Sequence, residues 1–81
     1  MPVTMRLSDL KRGQAATIKA VEDGAITEKL LEMGCLPGEE VRVEHAAPLG
    51  GPIAISVVGY KFSLRRSDAA HIVVDQDSLH N

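Results

Sequence analysis

The sequence predicts a small, mostly β barrel, and its length, its apolar spacing and its turn residues support that prediction. The chain has 81 residues, which is enough for one domain with a small core. From Glu39 onward, apolar and polar residues alternate in short runs, which is the period of β-strands. Because short strands in a flat sheet leave edges unpaired, we expect the sheet to close into a bent barrel.

Five short strands are predicted in chain order. The first covers residues 14–22, where Thr17, Ile18 and Val21 are β-branched and favour an extended chain. The other four cover residues 39–45, 53–58, 60–65 and 72–74. Alternation places His45 on the apolar face of its strand. Eight side chains are expected to point into one core: Ile18, Val41, Val43, Ile55, Val57, Phe62, Leu64 and Ile72.

One amphipathic helix is predicted between the first two strands, over residues 24–33. Ile26, Leu30 and Met33 are spaced at i, i+4 and i+7, so they share one face of that helix. Gly34 ends the helix because it adopts a left-handed conformation without a Cβ penalty. The helix is therefore an insertion that can cover one mouth of the barrel.

The remaining segments refine the predicted architecture. A short helical turn over residues 66–71 precedes the last strand, and such a turn is typical of SH3-like barrels. We therefore predict an SH3-like five-stranded barrel with one inserted α-helix, and an OB-like barrel is the alternative. One domain is expected to cover residues 1–81. Its ordered core runs from about residue 7 to residue 75, and both ends are loose.

Composition argues against several functions. The formal net charge is −2 and aromatic residues make up 2% of the chain, so neither a basic groove nor a stacking platform for nucleic acid is present. The single cysteine excludes an internal disulfide and fits a reducing compartment. The first ten residues lack the apolar run of a signal peptide. We expect a cytoplasmic protein that reaches a membrane only through a partner.

Metal binding and catalysis also lack their usual sequence patterns. Cys35, His45, His71 and His80 show no pair with the spacing of a zinc or iron site. Cys35 has no neighbouring His or Lys to lower its pKa, and no phosphate-binding loop is present. We therefore predict no enzyme activity, no cofactor and no metal site within one chain. A weak metal site between two chains stays open.

The order of motifs resembles the ferrous iron transport protein A (FeoA) family. The resemblance rests on "LLEMGCLPGEEVRV" and "APLGGPIAISVVGYKFSLRRSDAAHIV", and it covers residues 7–74. It departs from the family pattern at Lys29, often Arg in the family, at Gly51, often Asp, and at Cys35, where an apolar residue such as Phe is usual. The resemblance implies an SH3-like barrel with a helical insertion. It also implies a cytoplasmic accessory protein of the bacterial ferrous iron permease, whose cytoplasmic domain hydrolyses GTP.

An apolar docking edge for that permease is expected where the end of the helix and the turn after it meet the "APLGGP" loop. Stiff Pro and Gly turns there hold apolar side chains that lose little entropy on binding. The expected partner-binding residues are Leu30, Met33, Leu36, Pro37, Leu49 and Pro52. A self-assembling scaffold subunit and a small iron-binding protein are the alternatives, and homo-oligomerisation stays open.

Overall fold

The computed structural model describes residues 4–81, which form a six-stranded antiparallel sheet around one core. The strands are β1 (Met5–Arg6), β2 (Ala15–Val21), β3 (Glu40–Ala46), β4 (Ile53–Val57), β5 (Tyr60–Leu64) and β6 (Ile72–Val74). Their order in the sheet is β1-β6-β2-β3-β4-β5. The predicted mostly β architecture is confirmed, and the five predicted strands correspond to β2 through β6.

Strand β2 is shared by the two halves of the sheet. Its first residues, 15–17, pair with β3, whereas the segment from Ile18 to Val21 pairs with β6. The register shifts between Ile18 and Ala20, and such an irregularity bends a strand. The bend sets the half formed by β1 and β6 at an angle to the half formed by β3, β4 and β5. Both halves therefore face the same core.

The helices are shorter than the sequence predicts. Helix α1 covers Thr27–Glu32 and α2 covers Arg66–Ala69, and short 3₁₀ turns cover Leu7–Asp9 and Gln76–Ser78. The prediction that the first helix starts near residue 24 is wrong by about one turn. The hydroxyl of Thr27 donates to the carbonyl of Glu22 at 2.7 Å, which ties the helix start to the end of β2. Gly34 follows α1 with φ 100°, as predicted.

The ends carry structure where the sequence suggested loose segments. Residues 1–3 lie outside the described part, but Met5 and Arg6 pair with β6 as strand β1. After β6, the chain turns back along β2. His80 and Ala15 exchange two backbone hydrogen bonds of 2.7 and 2.9 Å, and the hydroxyl of Ser78 accepts from the amide of Thr17 at 2.7 Å. The tail therefore covers the edge of β2 that β6 leaves free.

Arg6 ties strand β1 to the end of β2. Its guanidinium donates to the carboxylate of Glu22 and, at 2.8 Å, to the carbonyl of Ala70. The hydrogen bond from Arg6 holds the pKa of Glu22 below its usual value. This pair is exposed, so its role is to fix the geometry of the chain end rather than to add much stability.

The predicted core is confirmed at seven of its eight positions. Phe62 is the exception, because it is half-buried and packs against the core from its rim. His45 was placed on the inner face, and that prediction is wrong. The pairing of β3 with β4 shifts register between Val43 and His45, so the side chain of His45 is exposed. The loops and helices add further buried residues, namely Leu7, Leu10, Leu30, Cys35 and Ala69.

The β4–β5 turn stores backbone strain. Val58 and Gly59 connect the two strands with φ values of 50° and 80°, so both turn residues are left-handed, as in a type I′ hairpin. That turn favours Asn or Gly at its first position, and a β-branched residue there is unfavourable. Val58 is also exposed, so core packing does not explain its presence.

We predict that Ile55→Ala destabilises the protein more than Phe62→Ala does. Ile55 is fully buried, and its truncation should reduce the free energy of unfolding by about 2–5 kcal/mol. Phe62 keeps part of its ring in water, so its truncation should cost about 2 kcal/mol or less. Urea unfolding of both variants measures the difference. A larger loss for Phe62→Ala would contradict this burial pattern.

We also predict that Val58→Asn stabilises the protein. Asn tolerates a left-handed backbone, so relief of strain should raise the free energy of unfolding by about 1 kcal/mol. Thermal unfolding measures the gain. The matched control is Val73→Asn in strand β6, where the backbone is extended and Asn should destabilise. Equal effects at both positions would show that the turn strain is not relieved.

Candidate docking surface

Four large apolar side chains are exposed in the described part of the chain. They are Leu36, Leu49, Val58 and Tyr60. A monomeric protein tolerates single exposed apolar residues, so their number alone implies little. Their positions are more informative, because three of the four lie in turns and the fourth begins an edge strand.

Leu49 is the most exposed of these side chains and lies at the tip of the β3–β4 loop. Its relative exposure is 104% and its φ is 59°, a left-handed value that is uncommon outside Gly. The loop beneath it is well tied, since the amide of Ala47 donates to the carbonyl of Pro52 at 3.0 Å. Arg66 also donates to the carbonyl of Ala47 at 3.3 Å. The fold thus holds an apolar side chain in water on a braced loop.

The six predicted docking residues divide by burial. The structure exposes Leu36, Pro37, Leu49 and Pro52, leaves Met33 half-buried and buries Leu30 completely. The prediction of Leu30 as a surface anchor is therefore wrong. Its side chain belongs to the main core, because the apolar face of α1 packs inward at that position. The docking role of the other five residues stays a prediction.

The turn and the loop of the expected docking edge lie at different ends of strand β3. The turn with Leu36 and Pro37 precedes the start of β3, whereas the loop with Leu49 follows the end of β3. A regular seven-residue strand spans about 20 Å. Leu36 and Leu49 therefore lie at opposite ends of β3.

A groove between α1 and β5 was not predicted. Two adjoining cavities of about 270 and 360 Å³ form it, and both are lined by Met33 and Phe62. We call this surface the α1–β5 groove. Its apolar lining consists of Ile26, Leu30, Met33, Tyr60, Phe62 and Leu64, and its charged rim consists of Lys29, Glu32, Lys61, Arg65 and Asp68. The alternation of Tyr60, Phe62 and Leu64 is visible in the sequence, where it indicates core positions for Phe62 and Leu64 rather than a groove.

The described residues contain no group of three His, Cys, Asp or Glu side chains able to hold a metal ion. His45 is exposed, and His71 lies against Gly24. His80 makes contacts of 2.8 Å with the carboxylate of Glu40 and with the carbonyl of Ser78. Across residues 4–81, no helix is long and apolar enough to cross a membrane.

Cys35 is buried directly after α1 and Gly34. Burial raises the pKa of its thiol from 9.0 to about 11. A thiol with a raised pKa is a poor nucleophile at neutral pH, because the thiolate is the reactive form. The residue therefore acts as a small apolar core side chain.

The structure is a small antiparallel β-barrel domain with braced apolar loops and an open groove. The chain belongs to the FeoA family, because residues 5–76 match the family model described as the FeoA domain. The resemblance noted in the sequence is thereby confirmed.

One relative places this domain beside a transporter. The chain is 43% identical over 72 residues to an Fe(2+) transport protein A/Fe(2+) transporter FeoB fusion protein of Porphyromonas gingivalis. The match covers 88% of this chain but only 8% of the fusion protein. The chain therefore corresponds to a small part of that relative.

Two solved structures have the same fold. FeoA of Stenotrophomonas maltophilia, crystallised with zinc and described as an SH3 domain protein, superposes with a TM-score of 0.88 at 36% identity. That comparison covers 95% of this chain and 96% of the other. A FeoA-like protein of Clostridium acetobutylicum gives a TM-score of 0.80 at 30% identity over 93% and 88% of the two chains. The predicted SH3-like fold is confirmed.

We predict that Cys35 makes stability depend on pH in the alkaline range. The unfolded chain releases the thiol proton near pH 9, whereas the native protein holds it to about 11. The free energy of unfolding should therefore fall as pH rises through this window. Urea unfolding at about pH 8 and about pH 10 measures this change. Cys35→Ala should show a smaller fall, and an equal fall in both proteins would contradict the assignment.

Proposed function

We propose that this protein is an accessory protein of ferrous iron uptake that docks on the cytoplasmic GTP-hydrolysing domain of the ferrous iron permease. The observation that carries the proposal is the fusion relative, in which the homologous segment and an Fe(2+) transporter share one chain. Two proteins that are fused in one organism commonly work together as separate chains in another. The proposal assigns binding to this chain and leaves GTP hydrolysis to the permease.

The surface of the barrel supports a docking role. The side chain of Leu49 is fully exposed on a braced loop, and its left-handed backbone costs free energy that Asn or Gly would save. Neither burial nor turn preference accounts for Leu at this position. Contact with a partner would account for it, because burial of an apolar side chain favours binding and a rigid turn loses little conformational entropy.

We predict that Leu49→Gln weakens binding to the cytoplasmic domain of the permease about tenfold. The loss of about 1–2 kcal/mol from one buried Leu corresponds to that change in affinity. The unfolding temperature should not fall, because the side chain is fully exposed in the free protein. Calorimetric titration of the purified permease domain, with and without guanine nucleotide, measures the affinity.

Lys11→Gln is the control, since Lys11 is exposed and lies outside the β3–β4 loop and the α1–β5 groove. It should bind like the wild type. Ferrous iron uptake in cells should follow the same order as binding. Normal binding by Leu49→Gln would remove Leu49 from the docking surface. An absence of binding by the wild-type protein to this domain would overturn the proposed function itself.

A further inference from the structure

Strand β5 has one open edge along its whole length. It is the last strand in the sheet and pairs only with β4. Because a two-residue turn joins these strands, the closing pair Val57 and Tyr60 is hydrogen-bonded, and the pattern then alternates. The backbone groups of Lys61 and Ser63 therefore point away from β4. No hydrogen bond from elsewhere in residues 4–81 reaches them.

The α1–β5 groove lies beside this open edge. Met33 and Phe62 line both of its cavities, so the apolar floor is continuous along the strand. Both side chains are half-buried, which leaves apolar surface in water along the groove. An open edge supplies main-chain hydrogen bonds, and a neighbouring apolar groove supplies side-chain pockets. These are the two features that an added β-strand uses.

The rim of the groove is locally basic although the chain has a net charge of −2. Lys29, Lys61 and Arg65 line it, against the carboxylates of Glu32 and Asp68. Arg65 is paired with Asp68 at 3.1 Å, which leaves the two lysines against Glu32. A positive rim in an acidic protein favours an acidic ligand.

We infer that the open edge of β5 and the α1–β5 groove bind an extended segment of a partner protein that alternates apolar and acidic residues. The alternation follows from cross-strand pairing. A residue opposite Phe62 faces the apolar groove, whereas a residue opposite Lys61 lies on the outer face beside an ammonium group. Apolar residues suit the first position and a carboxylate suits the second.

A second copy of this chain is a poorer occupant of the same edge. Its own open edges are β5, which carries Lys61, and β1, which has two residues and carries Arg6. Pairing β5 with a second β5 brings the two Lys61 side chains onto one sheet, and β1 is too short to cover β5. Lys61 thus disfavours self-association and favours an acidic strand.

The assignment of this segment to the permease rests on the proposed function, but the binding chemistry is tested separately. The probe is a short synthetic peptide that alternates valine and glutamate, and its control alternates valine and lysine. On titration of the labelled protein with the glutamate peptide, the backbone amides of Lys61 and Ser63 should shift and become protected from hydrogen exchange. The lysine peptide should bind at least about tenfold more weakly. Equal binding of the two peptides, or no binding of either, would overturn the inference.

Two matched pairs of variants test the mode of binding. Ser63→Pro removes one outward amide and is tolerated on an edge strand, whereas Ser63→Ala keeps the amide. Only Ser63→Pro should abolish peptide binding, with unfolding transitions confirming that both variants fold. Lys61→Glu should weaken the glutamate peptide about tenfold and favour the lysine peptide, while Lys19→Glu on the exposed face of β2 should change neither. Binding that survives Ser63→Pro in a folded protein contradicts strand addition.

The same variants separate this inference from the proposed function. If the permease domain binds the wild type but binds Ser63→Pro and Lys61→Glu equally well, the groove is not its site and the assignment of the segment to the permease is wrong, while the proposed function stands. If the permease domain does not bind the wild type but the glutamate peptide does, the proposed function is wrong and the groove binds another partner.

Discussion

The bend in strand β2 is the constraint on which the structure depends. One strand hydrogen-bonds to β3 through its first half and to β6 through its second half, so both halves of the sheet must face one core. Without that shared strand, β3 to β5 would form an open sheet with one exposed apolar face. The tail reinforces the bend, because His80 bonds to Ala15 where β6 has already left the edge. The chain end is thus part of the barrel rather than an appendage.

Backbone strain and exposed apolar surface occur together in two turns of the barrel. Among the described residues, the two non-Gly residues with positive φ are Leu49 and Val58, and both are exposed. Each occupies the first left-handed position of a turn whose next residue is Gly. Asn-Gly would serve both turns better. Residues that weaken the fold without filling the core are expected where binding, rather than stability, has determined the side chain.

The sequence predicted what depends on local pattern and missed what depends on tertiary contacts. β-Branched residues located the first predicted strand, alternation from Glu39 onward located the other strands and most core positions, and Gly34 located the end of α1 correctly. Strand β1 was missed because two residues show no period. His45 was misplaced because a register shift in the pairing of β3 with β4 leaves no mark in the sequence.

The candidate docking site was harder to predict for the same reason. Helical spacing groups Leu30 with Met33, but only packing shows that Leu30 is fully buried and Met33 is half-buried where both line the α1–β5 groove. Chain order likewise suggested that the turns with Leu36 and Leu49 meet. The strand between them holds them apart instead. A surface is defined by neighbours in space, and one sequence shows neighbours only within an element.

Strand β5 connects the two ends that β3 separates. It starts at the turn with Val58 and ends at Leu64, which pairs with Ile53 beside the loop that carries Leu49. An extended segment of five residues spans about 17 Å, so a strand added along β5 would run from one exposed end of the barrel toward the other. A partner that adds such a strand and also contacts Leu49 makes two weak contacts on one rigid body. The second contact then benefits from the high effective concentration that the first provides. The strained loops and the open edge are therefore consistent with one extended interface. In such an interface, neither contact has to be large enough to hold the partner alone.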